Sequence, residues 1–166
     1  MRKALSALVG VLAVVAAVAG PAQAGGVASD PSFDRGVSVT VTAYPSPKAD
    51  GSPSTQAVIT CTLKIGYPHK STHVPGTINT LATWDCTAPV AGLDIDIWLF
   101  NASEDVVGSG SAQNVGRANL QANAYAGCVT GSYSGSAFGY VIFPAGYSPP
   151  TGFKDVYTPL IFVSCP

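Results

Sequence analysis

Both histidines of this chain fall in one short stretch, Tyr67-Pro-His-Lys-Ser-Thr-His-Val-Pro-Gly76, together with Ser71. His69 and His73 are four residues apart, a spacing that on a helix lets two imidazoles share one metal ion. Pro68 and Pro75 restrain so short a segment, and neither an H-E-x-x-H glutamate nor a nearby third ligand accompanies the pair. No metal or other cofactor is therefore expected. Ser71 with one histidine and Asp85 would supply the parts of a Ser-His-Asp hydrolase. Ser71, however, sits on no G-x-S-x-G elbow, and nothing identifies an oxyanion hole. The simpler expectation is an ordered loop in which a histidine and Ser71 satisfy backbone groups locally. In that loop His69, Ser71 and His73 remain candidate binding residues, and no catalytic residue is assigned.

A second constellation lies on Leu93-Asp-Ile-Asp-Ile-Trp-Leu-Phe100. If this is a strand, Asp94, Asp96, Trp98 and Phe100 share one face and Leu93, Ile95, Ile97 and Leu99 the other. Paired carboxylates can do acid–base work on a glycoside, but such acids ordinarily come from opposite sides of a cleft. An aromatic ring beside carboxylates can instead stack on a sugar while the acids accept hydroxyl hydrogen bonds. The competing reading has Trp98 and Phe100 covered by a loop or by strand ends.

The elements that position these residues all read as strands. Val37 to Ala43 alternates apolar and hydroxyl residues with period two. Ala57, Ile59, Cys61, Leu63 and Ile65 line one face of the next run, and Ile78, Ala82, Trp84 and Cys86 line one face of the run after it. Trp84 is expected to pack over a disulfide in the core. A weaker strand around Asp105 to Val107 precedes the polar, Gly-rich Gly108 to Gly116. Leu120, Ala122, Ala124, Ala126 and Cys128 line another face. Tyr133 to Phe143 and Tyr157 to Cys165 supply the last strands, joined by the Pro- and Gly-rich Pro144 to Gly152. Tyr125, Tyr133, Tyr140 and Tyr147 divide between core, corner hydrogen bonds and contacts. Asn101-Ala-Ser103 has the form of a glycosylation sequon. No helical periodicity is sustained beyond the N-terminal apolar run. The expected fold is an all-β, antiparallel, immunoglobulin-like Greek-key sandwich of about eight strands.

Arg2 and Lys3, the apolar run Ala4 to Ala19, and Ala22-Gln23-Ala24 have the form of an export signal cleaved after Ala24. The apolar run is shorter than the roughly 20 residues that span a bilayer. With no cysteine just after the cut and no sorting tail, the mature chain is expected to be secreted and released, without a membrane partner. The expected layout is a cleaved signal over 1–24, a flexible segment over 25–36 and one β-sandwich domain over 37–166. Six basic side chains against nine acidic ones then remain, a mature charge of about −3. With no basic stripe to hold phosphates, nucleic acid is not an expected partner. The chain is expected to be a monomer.

Outside the cell the four cysteines, Cys61, Cys86, Cys128 and Cys165, read as two disulfides, for which three pairings are possible. Cys61–Cys86 with Cys128–Cys165 closes one moderate loop in each half of the chain. Cys61–Cys128 has the separation of an immunoglobulin inter-sheet bridge, but Tyr125 stands three residues before Cys128 where that fold places a tyrosine two before. No C-x-x-C pair suggests zinc.

The string Cys61…Pro68-His-Lys-Ser71…Pro75-Gly-Thr-Ile-Asn79…Trp84-Asp-Cys86, with Cys128-Val-Thr-Gly-Ser-Tyr133, Phe143-Pro-Ala-Gly-Tyr-Ser-Pro-Pro150 and Cys165, resembles a group of small secreted bacterial proteins of unassigned function. That resemblance covers most of the mature chain and implies no activity. Size and two bridges are also similar to the small α-amylase inhibitors, whose Trp-Arg-Tyr triplet is absent because Asp85 and Cys86 follow Trp84. The reading that emerges is a secreted, non-catalytic β-sandwich binding or structural module acting through its loops on an extracellular glycan, cell surface or protein. An inhibitor of an extracellular hydrolase is the alternative, and a hydrolase the third.

Overall fold

A computed structural model describes residues 35–165, and among these every regular element is a strand paired antiparallel to its neighbours. The expected signal over 1–24 and nearly all of the 25–36 segment lie outside the described residues. The strands are β1 (Gly36–Pro45), β2 (Ile59–Gly66), β3 (His69–Lys70), β4 (Thr77–Asn101), β5 (Val106–Gly127), β6 (Gly131–Ile142), β7 (Tyr147–Ser148), β8 (Thr151–Tyr157) and β9 (Ile161–Val163). No helix among the described residues is long and apolar enough to cross a membrane.

One hairpin, folded double, makes the architecture. β4 and β5 are 25 and 22 residues long and pair along nearly their whole length. Their register jumps between Asp85↔Asn119 and Val90↔Arg117, so Cys86 to Pro89 of β4 face a single residue of β5, Ala118. Extra residues on one strand bend it and raise its twist. Pro89 cannot donate to the ladder there, and Gly116 adopts φ 64°, a left-handed conformation that glycine takes without a Cβ clash. At this corner both strands pass from one layer to the other. The first layer is β7, β1, β2, the first half of β4 and the second half of β5, with β3 beside β4 in line with β2. The second layer is the first half of β5, the second half of β4, then β6, with β8 and β9 in line along the far edge of β6.

Period-two sequence explains what the layers bury between them. Ile59, Cys61, Leu63, Ile65, Ile78, Thr80, Ala82 and Trp84 point inward from the first layer; Leu93, Ile95, Ile97, Leu99, Ala137, Val141 and Val156 meet them from the second. Where the first layer projects a bulky ring, the second supplies no side chain. A Cβ added at Gly139 would lie 2.6 Å from Trp84 Nε1, so the fully buried indole lies directly on β6 backbone. The indole N–H donates to the carbonyl of Asp94, 3.1 Å away. This bond ties the first half of β4 to its own second half.

The disulfides pair as Cys61–Cys86 and Cys128–Cys165. The first joins directly opposed residues of neighbouring strands in one layer, unlike the inter-sheet bridge of an immunoglobulin domain. The second ties the chain after β5 to the chain after β9. Thr130 Oγ1 supports it, accepting from Cys165 N and donating to Cys165 O.

Several sequence boundaries need correction. Gly36 belongs to β1 and not to the preceding segment. Thr77–Cys86 and the Leu93 run are one bent strand. The weaker strand expected around Asp105 to Val107 runs on through the polar, Gly-rich Gly108 to Gly116 as part of β5. Its small residues permit close approach, and a Cβ at Gly110 would collide with the carbonyl oxygen of Asn123. The span from Tyr157 to Cys165 is not one strand: β8 ends at Tyr157 and β9 begins at Ile161, with Pro159 between.

Candidate functional site

The histidine loop is a braced turn between β2 and β4. β3 pairs His69 with Asn79 and Lys70 with Ile78. Ser71 is buried: its N–H donates to Thr77 O, and its Oγ accepts from Val74 N at 3.0 Å. Thr77 Oγ1 donates to Val74 O. Gly76, with φ 76°, accepts from Cys128 N, which fastens the turn to the second disulfide. His69 is half-buried, its Nδ1 2.9 Å from Tyr67 O, whereas His73 is exposed at the tip. Asp85 lies eight residues along β4 from the Thr77 that Ser71 bonds, a strand distance of about 27 Å. There it accepts from Thr83 Oγ1. Ser71, a histidine and Asp85 therefore do not form a triad. Among the described residues no three His, Cys, Asp or Glu side chains converge on a metal-sized site.

The second constellation sits on the outer face of the second layer, facing away from the core. Asp94, Asp96, Trp98 and Phe100 alternate with the buried Leu93, Ile95, Ile97 and Leu99, as their spacing predicts. Registers then fix their neighbours. Asp94 lies between Gln113 of β5 and Tyr140 of β6, Asp96 between Ser111 and Phe138, and Trp98 between Ser109 and Ser136. One strand further, Phe153 stands opposite Tyr140, Asp155 opposite Phe138 and Tyr157 opposite Ser136. β9 places Phe162 opposite Ser132. Directly opposed residues of an antiparallel pair project to the same side, so all these side chains share one surface.

This surface has a clear order. Phe153, Tyr157 and Phe162 are 63, 65 and 68 % exposed. They stand opposite positions 140, 136 and 132 of β6, which are about 13 Å apart in succession. Behind that row lie the half-buried Phe138, Tyr140 and Trp98. The rings of Phe138 and Phe153 are stacked, with centroids 6.2 Å apart and planes at 30°. Asp94, Asp96 and Asp155 occupy the end of the surface nearest Phe153. Four of its aromatic residues, Phe138, Phe153, Tyr157 and Phe162, are missed by sequence reasoning. The alternation in Phe153-Lys-Asp-Val-Tyr157 was the available signal, hidden because Pro149 to Gly152 reads as loop.

Of the other candidates Tyr125 is exposed on β5, while Tyr133, Tyr147 and Asn101 brace the fold. Tyr133 is buried and its hydroxyl donates to Val129 O, a corner bond, and Tyr147 OH donates to Ala57 O. Asn101 holds the turn after β4: its Oδ1 accepts from Ser103 N and Asp105 N, and its Nδ2 donates to Asp105 Oδ2. No family model, no curated protein and no solved structure matches this chain.

Proposed function

We propose that this chain is a secreted, non-catalytic binding module that holds a linear saccharide along the outer face of its second layer. The observation that carries this reading is the row Phe153, Tyr157, Phe162, three exposed rings at even intervals along one sheet edge. Large exposed apolar surface on a small domain marks a binding site. Rings stack on the C–H faces of sugars, and here carboxylates of Asp94, Asp96 and Asp155 with the amide of Gln113 offer partners for hydroxyls. A rigid four-strand platform presents them without ordering cost on binding. Two disulfides suit an oxidising compartment, and the N-terminal sequence with the form of an export signal accords with it. The site is thus the sheet face, while the histidine loop braces the fold.

Cosedimentation of the mature protein with insoluble polysaccharides and cell-wall material tests this. Saturable retention that falls in Tyr157→Ala and Trp98→Ala and persists in His73→Ala is expected. Retention lost in His73→Ala alone would return the site to the loop. Absence of retention, with stoichiometric inhibition of a secreted hydrolase, would establish the inhibitor reading instead.

A further inference from the structure

At the Phe162 end of the platform the edge between the layers opens into a groove of about 550 Å³. It is lined by Tyr67, His69 and Lys70 of the first layer, by Phe162 of β9 and Ser164 just after it, and by Arg35. Among the described residues no Asp or Glu lines it, although acidic side chains outnumber basic ones in the chain. This lining is held in place. Tyr67 N donates to Arg35 O, β3 is paired to β4, and the Cys128–Cys165 bridge anchors the chain just beyond Ser164. Phe162 belongs to groove and platform alike, since it lines the first and stands on the outer face opposite Ser132. Asp94 stands opposite Tyr140, and Asp96 and Asp155 opposite Phe138, whereas Arg35 and Lys70 line the groove together with β9, which pairs to residues 131–133 of the same strand.

We propose that this groove is an oxyanion subsite, taking the acid group of a saccharide whose neutral residues lie on the aromatic row. The inference rests on the platform reading and narrows its ligand to chains in which acidic sugars are interspersed among neutral ones. A guanidinium fork and an ammonium meet a carboxylate or sulfate through charge-assisted bonds. A uniformly anionic polymer is opposed by Asp94, Asp96 and Asp155 at the other end.

Two measurements separate the groove from the platform. In amide NMR titrations of the full mature protein, glucuronate and inorganic sulfate should shift the signals of residues 67–70 and 161–164 saturably, and glucose should not. The comparison of the two anions tells a sugar carboxylate from a sulfate. Arg35→Gln combined with Lys70→Gln should abolish the shift. No saturable shift, or one that survives the double variant, overturns the proposal. So does an equal or stronger response to polyglutamate, which would make the ligand an acidic peptide. In the second measurement, wild type should bind glucuronoxylan about tenfold more tightly than the same polymer with its carboxyls reduced, one charge-assisted contact's worth. The double variant should lose that preference yet keep the binding of the reduced polymer. A preference unchanged in the double variant overturns the subsite. Binding of both polymers unchanged in Tyr157→Ala overturns the platform instead.

Discussion

Trp84 and Gly139 fit as ring and bare backbone across the interior, the indole lying where a Cβ on residue 139 would have to be. Gly139→Ala therefore overpacks a site that cannot give way, because the ring is also held by its bond to Asp94 O. The expected cost is roughly 1–3 kcal/mol. Trp84→Ala should cost roughly 3–5 kcal/mol through the cavity it leaves. In the Trp84→Ala background the added methyl enters that cavity, so Gly139→Ala should become neutral or stabilising. Urea denaturation of the four proteins of this cycle measures the coupling; additive effects would show that ring and glycine do not share the space.

The same contact shows what a sequence can and cannot reveal here. Alternation made β1, β2 and both halves of β4 legible, and with them the inward place of Trp84 and the outward place of Asp94, Asp96 and Trp98. The pairing of the cysteines followed from their positions in the two halves of the chain. The fold of the β4–β5 hairpin was not legible. Thr87-Ala88-Pro89 reads as an end of strand, and Gly108 to Gly116 has little intrinsic strand preference. That segment is a strand because β4 lies beside it and Asn123 and Tyr125 pack against its glycines. For the same reason the platform was legible on one strand only. Setting Phe153 beside Tyr140 and Phe162 beside Ser132 requires registers between distant segments, which local pattern does not carry.

The second disulfide should matter more locally than its loop length suggests. Closing loops of 25 and 37 residues stabilises by roughly 3.5 and 4 kcal/mol in the loop-entropy account. β9, however, pairs at only three positions and is anchored by Cys165. Cys128→Ser with Cys165→Ser should lower stability by about 4 kcal/mol. It should also strip hydrogen-exchange protection from residues 161–163 before the rest of the molecule. Uniform loss of protection would show that β9 does not depend on the bridge.

Asp50 offers a pH-dependent test of a surface turn. Ser52 Oγ donates to its Oδ1 at 2.6 Å, and Ser52 N donates to the same oxygen at 2.9 Å. These bonds, the side-chain one first, hold the carboxyl below the usual aspartate range. Because the folded value is the depressed one, the turn's support is complete above the ordinary aspartate value of about 3.9 and is lost as pH falls through the lower folded value. Ser52→Ala should raise the midpoint toward the ordinary value in a carbon-13 carboxyl titration. An unchanged midpoint would assign the shift to the backbone donor alone.

The division of labour between loop and sheet face can be resolved by asking which variants lose stability and which lose binding. Ser71 gives its N–H and its Oγ to the turn that Gly76 fastens to Cys128. Ser71→Ala removes one of those bonds and should cost about 1 kcal/mol of stability, while saccharide retention stays at the wild-type level. Tyr157 and Phe153 project from an edge strand into solvent. Tyr157→Ala should leave the urea midpoint nearly unchanged, Phe153→Ala should lower it modestly because it also gives up the stacking on Phe138, and each should weaken retention by roughly tenfold, as the loss of one stacked ring implies. Since Tyr157 is about 13 Å from each of its exposed neighbours, a ligand too short to bridge two rings should gain nothing from the row. Affinity should therefore rise steeply once an oligosaccharide spans Phe153 to Tyr157, and again when it reaches Phe162. Affinity independent of chain length would show that the rings act as separate surface residues.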